Sequence, residues 1–207
     1  MVEIGSENSV NFVLFHYNTF VEQDLDDILA SLNGDGEAYR RLVQLYQPQI
    51  VRLMWRFTRD KAELECLVED VFVEAYFSLK GYKGTGPFLH WLKKIATRVG
   101  YKYWKQQERA KLFVEVEDFD AVNVKENADE IDPSEAAVAL HVLLGRMETD
   151  DRLVLTLMYF EECSIEEIAH RMGWTRAGTK MRAMRARGKL KKIAEKENFS
   201  ERFEWIK

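Results

Sequence analysis

A chain of 207 residues, 46% of them hydrophobic, is long enough for one large or two small domains and apolar enough to exclude wholesale disorder. Two cysteines, Cys66 and Cys163, are too few for a disulfide framework or a zinc finger. The net charge of −5 averages over blocks of opposite sign. Residues 1–79 hold 6 basic and 14 acidic side chains, 80–111 hold 9 and 1, 112–151 hold 2 and 12, and 152–207 hold 13 and 8. Two basic blocks alternating with two acidic ones point to two contacts with polyanions on a chain that otherwise avoids them.

In chain order, residues 1–24 read as a mixed arm with an aromatic cluster of Phe12, Phe15, Tyr17 and Phe20. No basic start followed by an apolar block is present, so no secretory signal is expected. Asp24 fits an N-cap for a helix through Leu32, which the turn Asn33-Gly34-Asp35-Gly36 stops. From Glu37 to Phe57 the residues Ala38, Leu42, Leu45, Tyr46, Ile50, Leu53, Met54 and Phe57 keep the three- and four-residue spacing of an amphipathic helix, with Pro48 inside it. Asp60 fits the cap of the next helix, where Leu64, Leu67, Val68, Val71, Phe72, Ala75 and Leu79 repeat the pattern. The glycine-rich loop from Lys80 to Pro87 ends it. A further helix from Phe88 buries Trp91, Leu92, Ile95, Ala96 and Val99 and turns Lys93, Lys94, Arg98, Lys102 and Lys105 outward.

Residues 111–133 differ in kind: acidic, weakly periodic and closed by Pro133, they read as a linker. Helices are expected beyond it at 134–147, 150–161, 165–172 and 176–195. The predicted fold is all-α, with two small helical domains at 25–110 and 134–196 joined by the acidic linker, and a tail at 197–207. How the two domains sit on each other is left open. No run of about eighteen apolar residues exists, so no membrane insertion is expected, and the location expected is cytoplasmic.

The sharpest local signal lies in the second domain. Ser164 with Glu167 forms a capping box for a short helix whose buried face is Ile165, Ile168, Ala169 and Met172. Gly173 follows, where a left-handed backbone turns the chain, and Thr175 caps a second helix. This is the helix-turn-helix pattern, whose second helix enters a DNA major groove. From Arg171 to Lys192 there are nine basic residues and no acidic one. Arg176, Thr179, Lys180 and Arg182 lie at the end from which base edges are reached, whereas Arg185, Arg187, Lys189, Lys191 and Lys192 suit phosphates.

The run CLVEDVFVEAY followed by FLHWLKKIATRVGYKYWK resembles region 2 of extracytoplasmic-function sigma factors, and RLVLTLMYFEECSIEEIAHRMGWT resembles their region 4. The resemblance covers about residues 25–109 and 134–194. It implies a protein that binds core RNA polymerase, through the β′ clamp and the β subunit, and promoter DNA. The polymerase-facing side would be Glu65, Cys66, Glu69, Asp70 and Val73. The −10 strand would meet Tyr82, Lys83, Lys93, Arg98, Tyr101, Lys102, Trp104 and Lys105, a mix of stacking surfaces and cations that single strands need. The −35 duplex would meet Thr175, Arg176, Thr179, Lys180, Arg182 and Arg185. An anti-sigma factor or another targeting partner is implied as a further contact.

The chain departs from the family pattern in three places. Cys66 stands where an acidic residue is usual. Arg98 and Lys102 replace asparagine and aspartate, and Ala177-Gly178-Thr179 shifts a glycine into the recognition helix, where it costs about 1 kcal/mol relative to alanine. These departures motivate one alternative, a sigma-like adaptor whose partner supplies part of the DNA targeting. A second alternative is a helix-turn-helix regulator that acts without polymerase. His16, His90, His141 and His170 are scattered, and Cys163, Glu167 and His170 make three ligands without a fourth. With no phosphate-cradling loop or nucleophile elbow, no enzyme activity, cofactor or metal is expected.

Overall fold

The computed structural model describes residues 24–114 and 135–196, and the expectations for the aromatic arm, most of the linker and the tail lie outside these. Eight helices order the described residues: α1 over 24–32, α2 Gly36–Met54, α3 Lys61–Ser78, α4 Phe88–Val114, α5 Glu135–Gly145, α6 Thr149–Tyr159, α7 Ile165–Met172 and α8 Arg176–Lys196. A short 3-10 turn, Leu79–Gly81, leads α3 into the loop before α4. There is no strand among the described residues.

The helix starts follow local chemistry. The Asp35 carboxylate accepts from the Glu37 and Ala38 backbone N–H groups and opens α2. Asp60 accepts from the Glu63 N–H at 2.9 Å and opens α3. Ser164 and Glu167 satisfy each other's backbone donors at the start of α7, and the Thr175 hydroxyl accepts from the Gly178 N–H at the start of α8. Each bond removes one of the orphan donors that a helix start leaves behind. Asp24 departs from its expected capping role: it already lies within α1, and its buried carboxylate accepts from the Tyr46 hydroxyl. Helix α4 continues past the expected boundary at 110 to Val114.

The first bundle packs α2, α3 and α4 around Leu42, Ile50, Leu53, Met54, Val71, Leu79 and Leu92, all nearly free of solvent. Gly100 makes this closeness possible, because any Cβ there would fall onto the Phe57 ring at the end of α2. In the second bundle α8 packs on α5, α6 and α7, with Leu144, Met147, Leu155 and Ala186 forming a small core of their own.

The two bundles are in contact. The buried cluster that holds Leu92, Ile95 and Val99 continues through Leu153, Val154 and Leu157 of α6 to Cys163 and Ile168. Helix α4 is the shared wall, packed on α6 and α7.

Candidate nucleic-acid interface

Three surfaces carry the residues singled out above. On α3, Leu64, Leu67, Val68, Val71, Phe72 and Ala75 face the core. That leaves Glu65, Cys66, Glu69, Asp70 and Val73 exposed on the other side of the helix. The same side also presents Tyr76 and Phe77, and Phe77 is 79% exposed. Sequence reading missed both aromatics, although Phe77 stands one helical turn beyond Val73 and off the buried stripe. The result is an exposed apolar strip rimmed by carboxylates.

The second surface is the loop before α4 and the helix itself. Tyr82 is half-buried, its hydroxyl donates to the Gly86 carbonyl at 2.6 Å, and its ring meets Phe88 and Trp91 at 5.4 and 5.6 Å. This triad holds the loop in shape beside a cleft of about 500 Å³ that Lys83, His90, Lys94 and Arg171 also line. Burial and the nearby Arg98 cation push the Lys94 ammonium below its usual range. Lys83, Arg98 and Lys102 are exposed, while Lys93 and Lys105 are half-buried.

Two aromatic residues of α4 behave differently from each other. Tyr101 is half-buried, with its hydroxyl donating to Asp150 at 2.8 Å and its ring edge-on to Trp174. Trp104 corrects the expectation of a stacking residue. It is 4% exposed, its indole N–H donates to the Phe57 carbonyl at 2.7 Å, and its ring packs on Phe57. It is core because it continues the apolar stripe of the helix.

The third surface is α7–turn–α8. Gly173 has φ 71°, the left-handed conformation expected of it. Along α8, Arg176, Lys180, Arg185, Arg187, Lys191 and Lys192 are exposed. Arg176 reaches back to Glu166 at 2.5 Å across the turn, an exposed pair that water competes with. Thr179 corrects a second expectation: it is fully buried, and its hydroxyl donates to the Thr175 carbonyl. Arg182 turns inward over the Trp174 ring at 4.1 Å and pairs with Asp150 at 3.1 Å. Lys189 likewise folds onto Asp151 and Glu148, whose hydrogen bonds raise its pKa.

Asp150 therefore collects three donors, from Tyr101, Lys105 and Arg182. Burial works against its charge, but the hydrogen bonds from Tyr101 and Lys105 and the Arg182 cation together hold its carboxyl below the usual range. Glu161 plays a similar part for Lys93 at 3.3 Å and Arg56 at 3.9 Å. Among the described residues no group of three or more His, Cys, Asp or Glu side chains is arranged to hold a metal, and no helix is long and apolar enough to cross a membrane.

Residues 42–110 match Sigma-70 region 2, and residues 137–190 match Sigma-70, region 4. The RNA polymerase sigma-H factor of Pseudomonas aeruginosa is 30% identical over 182 residues, which cover 83% of this chain and 93% of that protein. The ECF RNA polymerase sigma-E factor of Escherichia coli K12 is 27% identical over 177 residues, covering 80% and 92%. Among solved structures, CnrH in its complex with the cytosolic domain of CnrY aligns with a TM-score of 0.56 at 20% identity, over 84% of this chain and 97% of that one, a likeness of fold. The order of the two matched regions is that of a bacterial initiation factor. The chain belongs to the sigma-70 family of RNA polymerase sigma factors, in its extracytoplasmic-function class.

Proposed function

We propose that this sigma factor docks on core RNA polymerase through α3 and directs initiation by contacting the −10 element through α4 and its preceding loop and the −35 element through α8. The observation that carries the reading is the separation of surface chemistry. An acidic and apolar strip of Glu65, Glu69, Asp70, Val73 and Phe77 lies on α3, apart from the cations of α4 and α8. The strip suits a protein partner, and the cationic helices suit phosphates.

In α4 and the loop before it, the reading assigns Lys83, Lys93, Arg98, Lys102 and Lys105 to backbone phosphates and Tyr82 and Tyr101 to bases. Within α8, Arg176 and Lys180 reach base edges while Arg185, Arg187, Lys191 and Lys192 take phosphates. Trp104 and Thr179 support these surfaces from beneath. The Thr175 hydroxyl, committed to the helix cap, sets the start of α8 instead of reading a base. The role is non-catalytic and cytoplasmic, since initiation chemistry belongs to the polymerase.

The test is in vitro transcription with core polymerase on genomic fragments, with start sites mapped. Arg176→Ala and Lys180→Ala are expected to impair upstream recognition, and Asp70→Ala to lower polymerase affinity. Normal transcription by all three variants overturns the residue assignments.

A further inference from the structure

We infer that Met181 and Met184 of α8 determine part of the sequence that the second domain selects, by packing on thymine methyl groups in the major groove. The inference rests on the proposed role of α8 at the −35 element and names what that helix recognises there.

The buried side of α8 fixes its outward side. Thr179, Ala183 and Ala186 are buried, with α8 packed on α5, α6 and α7. Turning at about 100° per residue, the helix places Ala177, Met181, Met184 and Gly188 opposite them, within an arc of about 60°. All four are exposed, and Met181 and Met184 retain 49% and 58% of their surface. A Cβ at Gly188 would meet nothing within 4 Å, so the far end of this apolar strip is also open. Meanwhile three residues expected at the duplex are committed elsewhere. The Thr175 hydroxyl caps the helix, Thr179 is core, and Arg182 pairs with Asp150. The methionines hold the outermost positions that these residues do not.

Cations border the strip on both sides. Lys180, Arg187 and Lys191 lie along one edge and Arg185 and Lys192 along the other, all exposed. A helix with its side chains is about 10–12 Å across and the major groove about 12 Å wide. A docked helix therefore turns its outermost strip to the base edges and its flanks to the two phosphate backbones. An apolar protein surface laid on the same strip would cover five cations without answering them, whereas a duplex uses both rows. Within the groove the C5 methyl of thymine is the apolar feature that distinguishes a base. The other edges present donors and acceptors, for which a thioether is a poor partner. Methionine is unbranched and adaptable, which suits it to an irregular groove floor. Arg176 and Lys180 then take polar edges beside the methyls that Met181 and Met184 cover.

The test uses the full-length protein bound to core polymerase and a promoter fragment whose upstream element is randomised. The parent is expected to enrich an element with thymine at one or more fixed positions. Deoxyuridine, which lacks only the methyl, is then placed at each of them in a labelled duplex. Each replacement at a contacted position should weaken binding roughly fourfold, the worth of one buried methyl group. A Met181→Ala/Met184→Ala double variant should bind the thymine and deoxyuridine duplexes equally. Both side chains are exposed and alanine is a strong helix former, so the variant keeps α8. An enriched element without a fixed thymine overturns the inference, as does deoxyuridine without effect in the parent. A deoxyuridine penalty that persists undiminished in the double variant also overturns it, because another group then reads the methyl. Loss of polymerase binding by the double variant, with deoxyuridine neutral, overturns it in favour of a protein contact. Arg176→Ala and Lys180→Ala, run on the same library, separate this failure from a wider one. If they change the enriched element, α8 still reads the duplex and only the methyl contact is wrong. If they leave it as the parent selects it, the reading of α8 at the −35 element fails as well.

Discussion

The Arg152 guanidinium of α6 lies 3.8 Å from the centre of the Trp104 ring of α4, so a cation of one domain caps the aromatic anchor of the other. Trp104 is fixed in turn by its bond to the Phe57 carbonyl. The stack sits in a crowd of positive charge. Burial, reinforced by Arg59, pushes the Arg152 pKa down to about 10, and burial with Arg56 does the same to Arg59. Cations in such a place disfavour protonation of a basic group beside them.

His141 of α5 is that neighbour. Burial first, then the charges of Arg152, Arg59 and Arg56, lower its pKa from 6.5 to about 3. The folded protein therefore keeps His141 neutral over a range in which the unfolded chain protonates it. Above pH 6.5 neither state carries the proton and the residue contributes no pH dependence. As pH falls from 6.5 toward 3 the unfolded state is favoured increasingly. His141→Gln is expected to have a shallower acid limb. Relative to its own value at pH 7, the parent should lose about 2 kcal/mol more than the variant by pH 4.5. Urea unfolding at the two pH values measures this, and parallel limbs would mean that the imidazole is solvated.

The contact of Gly100 with Phe57 yields a second prediction. The helix interior ordinarily prefers alanine to glycine, but here a Cβ has no room beside the ring. Gly100→Ala is expected to destabilise the protein by about 1–3 kcal/mol, the usual cost of overpacking. Phe57→Ala removes the ring atoms that crowd that point, so the double variant should be more stable than the sum of the two single losses implies. Additive losses in a double-mutant cycle of denaturation midpoints would show that the clash is relieved elsewhere.

What was legible in the sequence is what a few neighbouring residues decide. Asp60, the Ser164–Glu167 box and Gly173 each act within one turn of chain, and each stands in the structure as the spacing predicts. The buried stripe of α4 was legible through Leu92, Ile95, Ala96 and Val99, but Trp104, which extends it, was taken for a stacking residue. The contacts between the two bundles were not legible. Tyr101 meets Asp150, and Lys93 meets Glu161, across separations of 49 and 68 positions, and no periodicity encodes such pairs. The basic face of α4 reads the same from sequence whichever anion covers it. Thr179 was misjudged for a related reason: position along a recognition helix is legible, but its rotation is set by packing on α6 and α7.

That rotation and its cap are tested by two glycines in one helix. Gly178 and Gly188 both lie inside α8, where helix propensity alone predicts that alanine would add about 1 kcal/mol at each. At Gly188 a Cβ meets nothing within 4 Å, so Gly188→Ala is expected to give that gain. At Gly178 it would sit 2.9 Å from the Thr175 hydroxyl oxygen, the atom that accepts from the Gly178 N–H. Alanine there displaces the cap, and the loss of such a bond, about 1 kcal/mol, offsets the propensity gain. Gly178→Ala should therefore leave the unfolding midpoint nearly unchanged while Gly188→Ala raises it. In a Thr175→Ala background, where no cap remains to lose, the two glycine replacements should stabilise equally. Equal gains in the parent protein would mean that the hydroxyl can yield without cost, and that the start of α8 is held by tertiary packing and not by its cap.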